Sequence, residues 1–302
     1  MSATAAFAQY EAIRHRLPQE PVGDHAPLVI ESLLEVAERF DVFLFDAFGV
    51  LNVGEVAIPG AIERVRALQA MGKQCLVVSN GAGMAKPQVV QKMRERGFDF
   101  DAEHIVNSRD ALIEGLKTYP ANMLWGRIGP EKYQEDLAEL GIASVDQNHP
   151  DFARADGYLF FSPQRWPEAC HQQFLDDLAA HPRPVLLGNP DLIAPLADSI
   201  SIEAGSYILP LHDTLFQQVK VFGKPFASIF DIAAKRLHHL GHDLDHHRTL
   251  MIGDTLHTDI LGGNAYGLAT CLVTGHGFLR GLDPAEYIAQ SGITPDYQLT
   301  SI

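Results

Sequence analysis

Short unbroken apolar runs alternate with longer amphipathic segments along most of this chain. Apolar runs bounded by turn residues suit strands buried on both faces, and the amphipathic stretches between them suit helices that cover a parallel sheet. The expected strands are Val42–Asp46, Gln74–Ser79, Asn122–Gly126, Gly157–Phe161, Pro184–Gly188, Val219–Phe222, Thr249–Gly253 and Ala269–Val273. The helix after the first strand opens at Pro59, sets Ile62, Val65, Leu68 and Met71 on one stripe, and stops at Gly72. Another opens at Pro225, offers Phe226, Ile229, Phe230, Ala233 and Leu237 to the core, and stops near Gly241. This alternation predicts an α/β fold with a mostly parallel sheet. Residues 1–26, with Pro18 and Pro21, read as an extension that wraps the core. A helix from Pro27 to Arg39 is expected to feed the first strand.

The polar residues that close these runs fall in two blocks. Asp46 and Ser79 lie early, Lys224 and Asp254 late, and the segment between Asn107 and Thr214 has a βα pattern of its own. The economical organisation is a core made of residues 1–107 and 215–302, with residues 108–214 inserted as a cap. A chain of 302 residues with 46% hydrophobic positions has ample material for both units. Its formal charge of −15 argues against nucleic acid or an anionic membrane surface as a partner. Met1 to Tyr10 has no basic start and no long apolar stretch, so no signal peptide is expected. No run approaches the ~18 apolar residues of a membrane span. Cys75, Cys170 and Cys271 are odd in number and far apart, which suits buried free thiols in a reducing, cytoplasmic setting.

A carboxylate at the C-terminal end of a parallel strand sits where such sheets bind ligands, and Asp46 closes Val42-Phe43-Leu44-Phe45. Aspartate is a weak nucleophile toward a phosphate dianion unless a metal and a positive or amide-rich cradle cancel the repulsion. Asp46 and Asp254 can give oxygens to Mg²⁺, and the backbone carbonyl of Phe48 a third. Ser79 and Asn80, followed by Gly81 and Gly83, can hold phosphate oxygens. Lys224 can neutralise the transferring group. Asp259, five residues after Asp254, can orient a metal water, bond loop amides or steady Lys224. Each has a plainer reading as a turn, cap or surface residue. Asn189 and Asp191 equally fit a substrate-facing loop or an ordinary Asn-Pro-Asp turn. His257 reads as a neutral loop histidine, and Trp125 and Trp166 as cap core.

Taken in order, FDAFGVLNVG at 45–54, LVVSNGAG at 76–83, GNPD at 188–191, FGKP at 222–225 and GDTLHTDI at 253–260 resemble the haloacid-dehalogenase-like hydrolase superfamily. They look most like its class IIA branch, which includes 4-nitrophenyl phosphatases and pyridoxal phosphate phosphatases. The resemblance runs from about Ser32 to Thr274. It implies a Rossmann-like parallel-sheet core with an inserted α/β cap of the C2 type. It also implies a Mg²⁺-dependent phosphatase working through an aspartyl phosphate on a small phosphorylated metabolite, and leaves a homodimer open. On this pattern Asp46 is the nucleophile. Asp46, Phe48 and Asp254 bind metal, with Asp259 behind them. Ser79, Asn80 and Lys224 hold phosphate, and Asn189 and Asp191 reach over the substrate. Thirty-three positions from Asp46 to Ser79 leave no room for an early cap, whereas 145 positions separate Ser79 from Lys224.

Phe48 departs from the family pattern, which has a second aspartate there to protonate the leaving oxygen and activate water. Strand alternation would point positions 46 and 48 the same way, putting an aromatic ring in the place of a proton donor. Loss of general acid–base help costs about 10²–10⁴-fold. Three functions stay open: a phosphatase of low or selective activity, a protein that binds Mg²⁺ and a phosphometabolite with hardly any turnover, and a 2-haloacid dehalogenase. The last rests on the likeness of Asp46-Ala47-Phe48-Gly49 to that enzyme's Asp-x-Tyr-Gly. The spacing and the Gly253-Asp254 metal motif stand against it.

Overall fold

A computed structural model describes residues 1–19, 25–196 and 199–302. Its larger sheet has seven parallel strands in the order Leu28–Val29, Tyr297–Leu299, Ala269–Val273, Thr249–Gly253, Val42–Phe45, Gln74–Ser79 and Ile105–Asn107. Val42–Phe45 lies in the interior of this sheet and is buried along its length. Its side chains alternate between two cores. Phe43 and Phe45 pack with Val65, Leu68 and Val77, whereas Val42 and Leu44 pack with Val78, Ile229 and Phe230. A strand buried on both faces needs apolar residues on both, which is why the sequence reads as an unbroken run.

The expected helices form as Ala61–Ala70 and Ala227–His239. Met71 and Phe226 fall outside them, as caps, and Met71 is exposed. A hairpin pairing Asn52–Val53 with Val56–Ala57 separates Asp46 from the first of these helices.

The second sheet has five parallel strands in the order Val219–Val221, Val185–Leu187, Gly157–Phe160, Trp125–Ile128 and Ser144–Asp146. Trp125 and Trp166 are buried within this unit. Val219–Val221 belongs to it by hydrogen-bond register although it lies beyond position 214. Helix Ser108–Leu116 packs instead against Ala227–His239 of the larger unit. A two-stranded hairpin, Ile193–Pro195 with Ile200–Ile202, projects from the insert.

Two expectations near the N-terminus are corrected. Pro27 to Arg39 is not one helix. Leu28–Val29 adds an edge strand beside Tyr297–Gln298, and a 3₁₀ segment covers only Leu33–Arg39. Ser32 divides the two by accepting the Leu34 N–H at 3.1 Å, and the open sheet edge supplies partners that a helix would forgo. The extension does not lie on the core alone. Its helix, Ala3–Ala12, buries Phe7 and Tyr10 among Leu256, Ile260 and Phe278 of the core and Leu192, Ile193 and Ile208 of the insert. Arg16 continues onto the insert, pairing with Asp213 at 2.5 Å and capping the Phe216 ring. Residues 20–24 of the expected extension lie outside the described residues. Cys75 and Cys271 are buried free thiols, but Cys170 is exposed on the outer face of helix Glu168–Ala180.

Candidate active site

Three adjacent strands of the larger sheet end together. Phe45 pairs with Ile252 on one side and Val77 on the other, so Asp46, Gly253-Asp254 and Ser79 emerge at one edge. The Asp46 N–H still donates to Ile252 O at 2.8 Å, which fixes the direction of the departing chain. These ends open into a cavity of about 230 Å³, with Asn189, Asp191, Ser201 and Glu203 of the insert on its far side.

Lys224 organises the charge. Its ammonium lies 2.5 Å from Asp46 Oδ1 and 2.7 Å from Asp259 Oδ1, the latter a contact of charge and not of hydrogen-bond geometry. Burial opposes the charge on Lys224, but Asp259, Asp46 and Asp191 more than offset it and hold its pKa above the ordinary lysine value. Burial pushes the Asp46 carboxyl up to about 6, with Lys224 pulling the other way. Asp254 is raised well above the ordinary carboxylate value by burial first and by Asp259 and Asp46 next. One cation among three buried carboxylates leaves an excess of negative charge, and oxygens of Asp46, Asp254 and Asp259 lie within 4.8 Å of one another.

The carboxylates are held by backbone. Asp254 Oδ2 accepts the Phe278 N–H at 2.6 Å and Oδ1 the Thr255 hydroxyl at 3.0 Å. Gly277 is required beside it, because a Cβ there would sit 1.9 Å from Asp254 Oδ2. Asp259 Oδ2 accepts the N–H groups of Asp254 and Thr255, both at 3.1 Å, and Gly253 leaves the space its side chain fills. The sequence therefore spends its small residues where backbone and carboxylates meet.

Ser79 lies in the cavity wall, and its Oγ accepts the Gly81 N–H at 3.3 Å. Asn80 is next to it but is not among the lining residues. Its Nδ2 donates to Lys224 O at 2.9 Å and to Asp191 Oδ1 at 2.8 Å, and its Oδ1 accepts the Lys224 N–H at 2.7 Å. Its side chain ties the Lys224 loop and the insert's loop to the core. Phe48 lines the cavity with Asp46, as alternation predicts, although the strand itself ends at Phe45. Its side chain packs against the core cluster that includes Phe45 and Val77, with the Arg96 guanidinium 5.9 Å from its ring.

Asn189 and Asp191 both face the cavity. Asn189 Oδ1 accepts the Asp191 N–H at 3.0 Å, so one Asn-Pro-Asp turn carries both residues to the cavity. Burial pushes Asp191 up to about 8, with Lys224 opposing. His257 is buried away from the cavity, stacked on Tyr10 at 4.8 Å with Nε2 2.5 Å from Glu11. Glu203 and Ser201 had no signal in the sequence. They reach the cavity only because the hairpin folds back over it.

Two family models match this chain: haloacid dehalogenase-like hydrolase over residues 43–143 and HAD-hydrolase-like over residues 221–302. Glycerol-3-phosphate phosphatase of Gallus gallus is 31% identical over 297 residues, spanning 90% of this chain and 93% of its own length. The chain belongs to the haloacid dehalogenase-like hydrolases. Its curated relatives include 4-nitrophenylphosphatase of Schizosaccharomyces pombe and chronophin of Bos taurus, which places it in the class IIA branch. A possible sugar phosphatase of this superfamily from Cytophaga hutchinsonii shares the fold with a TM-score of 0.79 at 24% identity, over 91% of this chain and 98% of that one. Glycerol phosphate phosphatase from Mycobacterium tuberculosis, in complex with magnesium, superposes with a TM-score of 0.68 at 22% identity, over 87% and 75%. The hydrolase thus has the Rossmann-like core and inserted α/β cap of this family.

Proposed function

We propose that this hydrolase is a phosphatase that uses Mg²⁺ and an aspartyl phosphate to hydrolyse a small phosphorylated metabolite. The observation that carries the reading is the convergence of Asp46, Asp254 and Asp259 around Lys224 at the edge of adjacent strands, facing one cavity. The excess of buried negative charge suits a hard divalent cation, for which carboxylate and carbonyl oxygens are the fitting donors. Asp46, Asp254 and the Phe48 carbonyl would hold it, and Asp259, already bonded to two amides, would stand behind them. When bound, Mg²⁺ supplies charge neutralisation at the phosphoryl oxygens. The mycobacterial structural neighbour binds magnesium in one structure and calcium in another, in keeping with a divalent cation.

In this reading an Asp46 oxygen attacks phosphorus while the bond to the leaving oxygen breaks. Lys224 moves from pairing carboxylate to pairing the transferring phosphoryl group, and Ser79 Oγ donates to a phosphoryl oxygen. Water then attacks phosphorus, releasing phosphate and restoring the Asp46 carboxylate. Asn80 holds the Lys224 loop and Asp191 through its side chain and, with Ser79, would hold the phosphate. The cap is carried mainly by residues 108–214, its sheet extending to Val219–Val221.

Position 48 offers no proton, so leaving groups that need little protonation, such as aryl and acyl phosphates, are favoured. Equal turnover of simple alkyl phosphates and 4-nitrophenyl phosphate would contradict this. Phe48, in the cavity wall where a proton donor is expected, also favours a second reading, a phosphometabolite-binding protein with little turnover. A metabolite screen for phosphate release, with and without Mg²⁺ and alongside Asp46→Asn, separates the two. Release that requires both Mg²⁺ and Asp46 supports the phosphatase, and binding without release supports the alternative.

A further inference from the structure

We infer that the leaving group recognised by the cap is an uncharged or cationic alcohol rich in hydrogen-bond donors, and not a second anion. The inference rests on the phosphatase reading of the same cavity. Its basis is the charge inventory of the wall. Lys224 is the one cationic side chain among the described residues that line the cavity, and Asp46 and Asp259 already surround it. The residues outside the described range at 197 and 198 are alanine and aspartate in the sequence, neither of them a cation.

The cap side presents acceptors. Glu203 takes the Asn189 side-chain N–H on Oε2 at 3.0 Å and the Ser201 hydroxyl on Oε1 at 2.6 Å. An ionised carboxylate has about four lone-pair sites, so these donors leave roughly half of them to a ligand. Asp191 stands across the same loop with Oδ1 on Asn80. Burial raises the pKa of both carboxyls; Lys224 opposes the rise at Asp191, and no cation opposes it at Glu203. A hydroxyl or ammonium group would complete this wall. A carboxylate or second phosphate would meet the acidic Glu203–Asp191 side of the wall, where the one cation, Lys224, is already shared with Asp46 and Asp259, and like charges meeting in a closed site are strongly disfavoured. The same inventory disfavours a 2-haloacid, whose carboxylate would have to lie in this cavity.

The test uses three small phosphate esters: glycerol 3-phosphate, O-phosphoethanolamine and phosphoglycolate. Their affinities for the Asp46→Asn protein in Mg²⁺, measured by titration calorimetry, read cap preference without depending on turnover. The first two are expected to bind at least about tenfold more tightly than phosphoglycolate. Glu203→Gln is expected to narrow the gap between O-phosphoethanolamine and phosphoglycolate. Phosphoglycolate binding as tightly as either of the others overturns the inference, as does a gap unchanged by Glu203→Gln. If the ranking holds but the native protein releases no phosphate from any ester or from 4-nitrophenyl phosphate, the phosphatase reading falls and the cap assignment stands. If 4-nitrophenyl phosphate is hydrolysed in an Asp46-dependent way and none of the three esters binds, the cap assignment alone falls.

Discussion

The Lys224 ammonium lies 2.5 Å from Asp46 Oδ1, joining the end of one core strand to a loop 178 positions further along the chain. Both side chains are buried, and Asp259 closes on the same ammonium from the far side. Deleting the cation leaves Asp46 and Asp259 uncompensated in a site already short of positive charge. Lys224→Met is therefore expected to lower stability by about 3–5 kcal/mol without added metal. Urea denaturation of both proteins, with and without Mg²⁺, checks this. Mg²⁺ should restore part of the loss by supplying the missing charge.

Phe48 sits in the cavity with Asp46 while its ring reaches toward Arg96. Phe48→Asp restores a carboxyl at the place from which a proton could reach the leaving oxygen. Phosphate release from alkyl esters should rise, by up to about 10²–10⁴-fold, with a smaller gain for 4-nitrophenyl phosphate, whose leaving group needs little help. A parallel gain on both substrates would show that the new carboxyl acts in some other way than proton transfer.

Asp191 links the cap to the pH dependence of stability. Its carboxyl is pushed up to about 8 in the folded protein, mainly by burial, against about 4 for an unfolded chain. The folded state therefore binds more protons in this window, and Asp191's contribution falls as pH rises from about 4 to about 8. Asp191→Asn cannot ionise and keeps an acceptor for Asn80. Its melting temperature should fall less than the native protein's between pH 5 and pH 8. Parallel curves for the two proteins would mean that Asp191 stays ionised throughout.

The N-terminal helix ties the two units together. The Tyr10 hydroxyl accepts the Leu192 N–H at 3.0 Å, and the Tyr10 ring stacks on His257 of the metal-motif loop. Tyr10→Phe keeps the ring but leaves a buried amide unpaired, at a cost of about 1–3 kcal/mol. Thermal unfolding of the two proteins measures it.

What the sequence made legible follows from how local each signal is. The strands ending at Asp46, Ser79 and Gly253 are mostly apolar runs, buried except at Gln74, so pattern alone found them within one position. Leu28–Val29 escaped because a short edge strand exists only by pairing with Tyr297–Gln298, almost the whole chain away. Asp46, Ser79, Lys224 and Asp254 were legible because each closes a strand or opens a helix at the ligand-binding edge. The use of Asn80 was not, since both its partners are tertiary. Glu203 follows the short alternating run Ile200-Ser201-Ile202, whose pattern does not say which face meets the cavity; the pairing with Ile193–Pro195 decides it.

In the proposed phosphatase, Asp46 accepts the phosphoryl group. The direct measurement is peptide mass spectrometry on protein quenched in acid during incubation with 4-nitrophenyl phosphate and Mg²⁺. The account predicts one added phosphoryl group on the peptide containing Asp46, sensitive to hydroxylamine and absent from Asp46→Asn. Phosphate release with no such adduct in the native protein, and undiminished in Asp46→Asn, would contradict it.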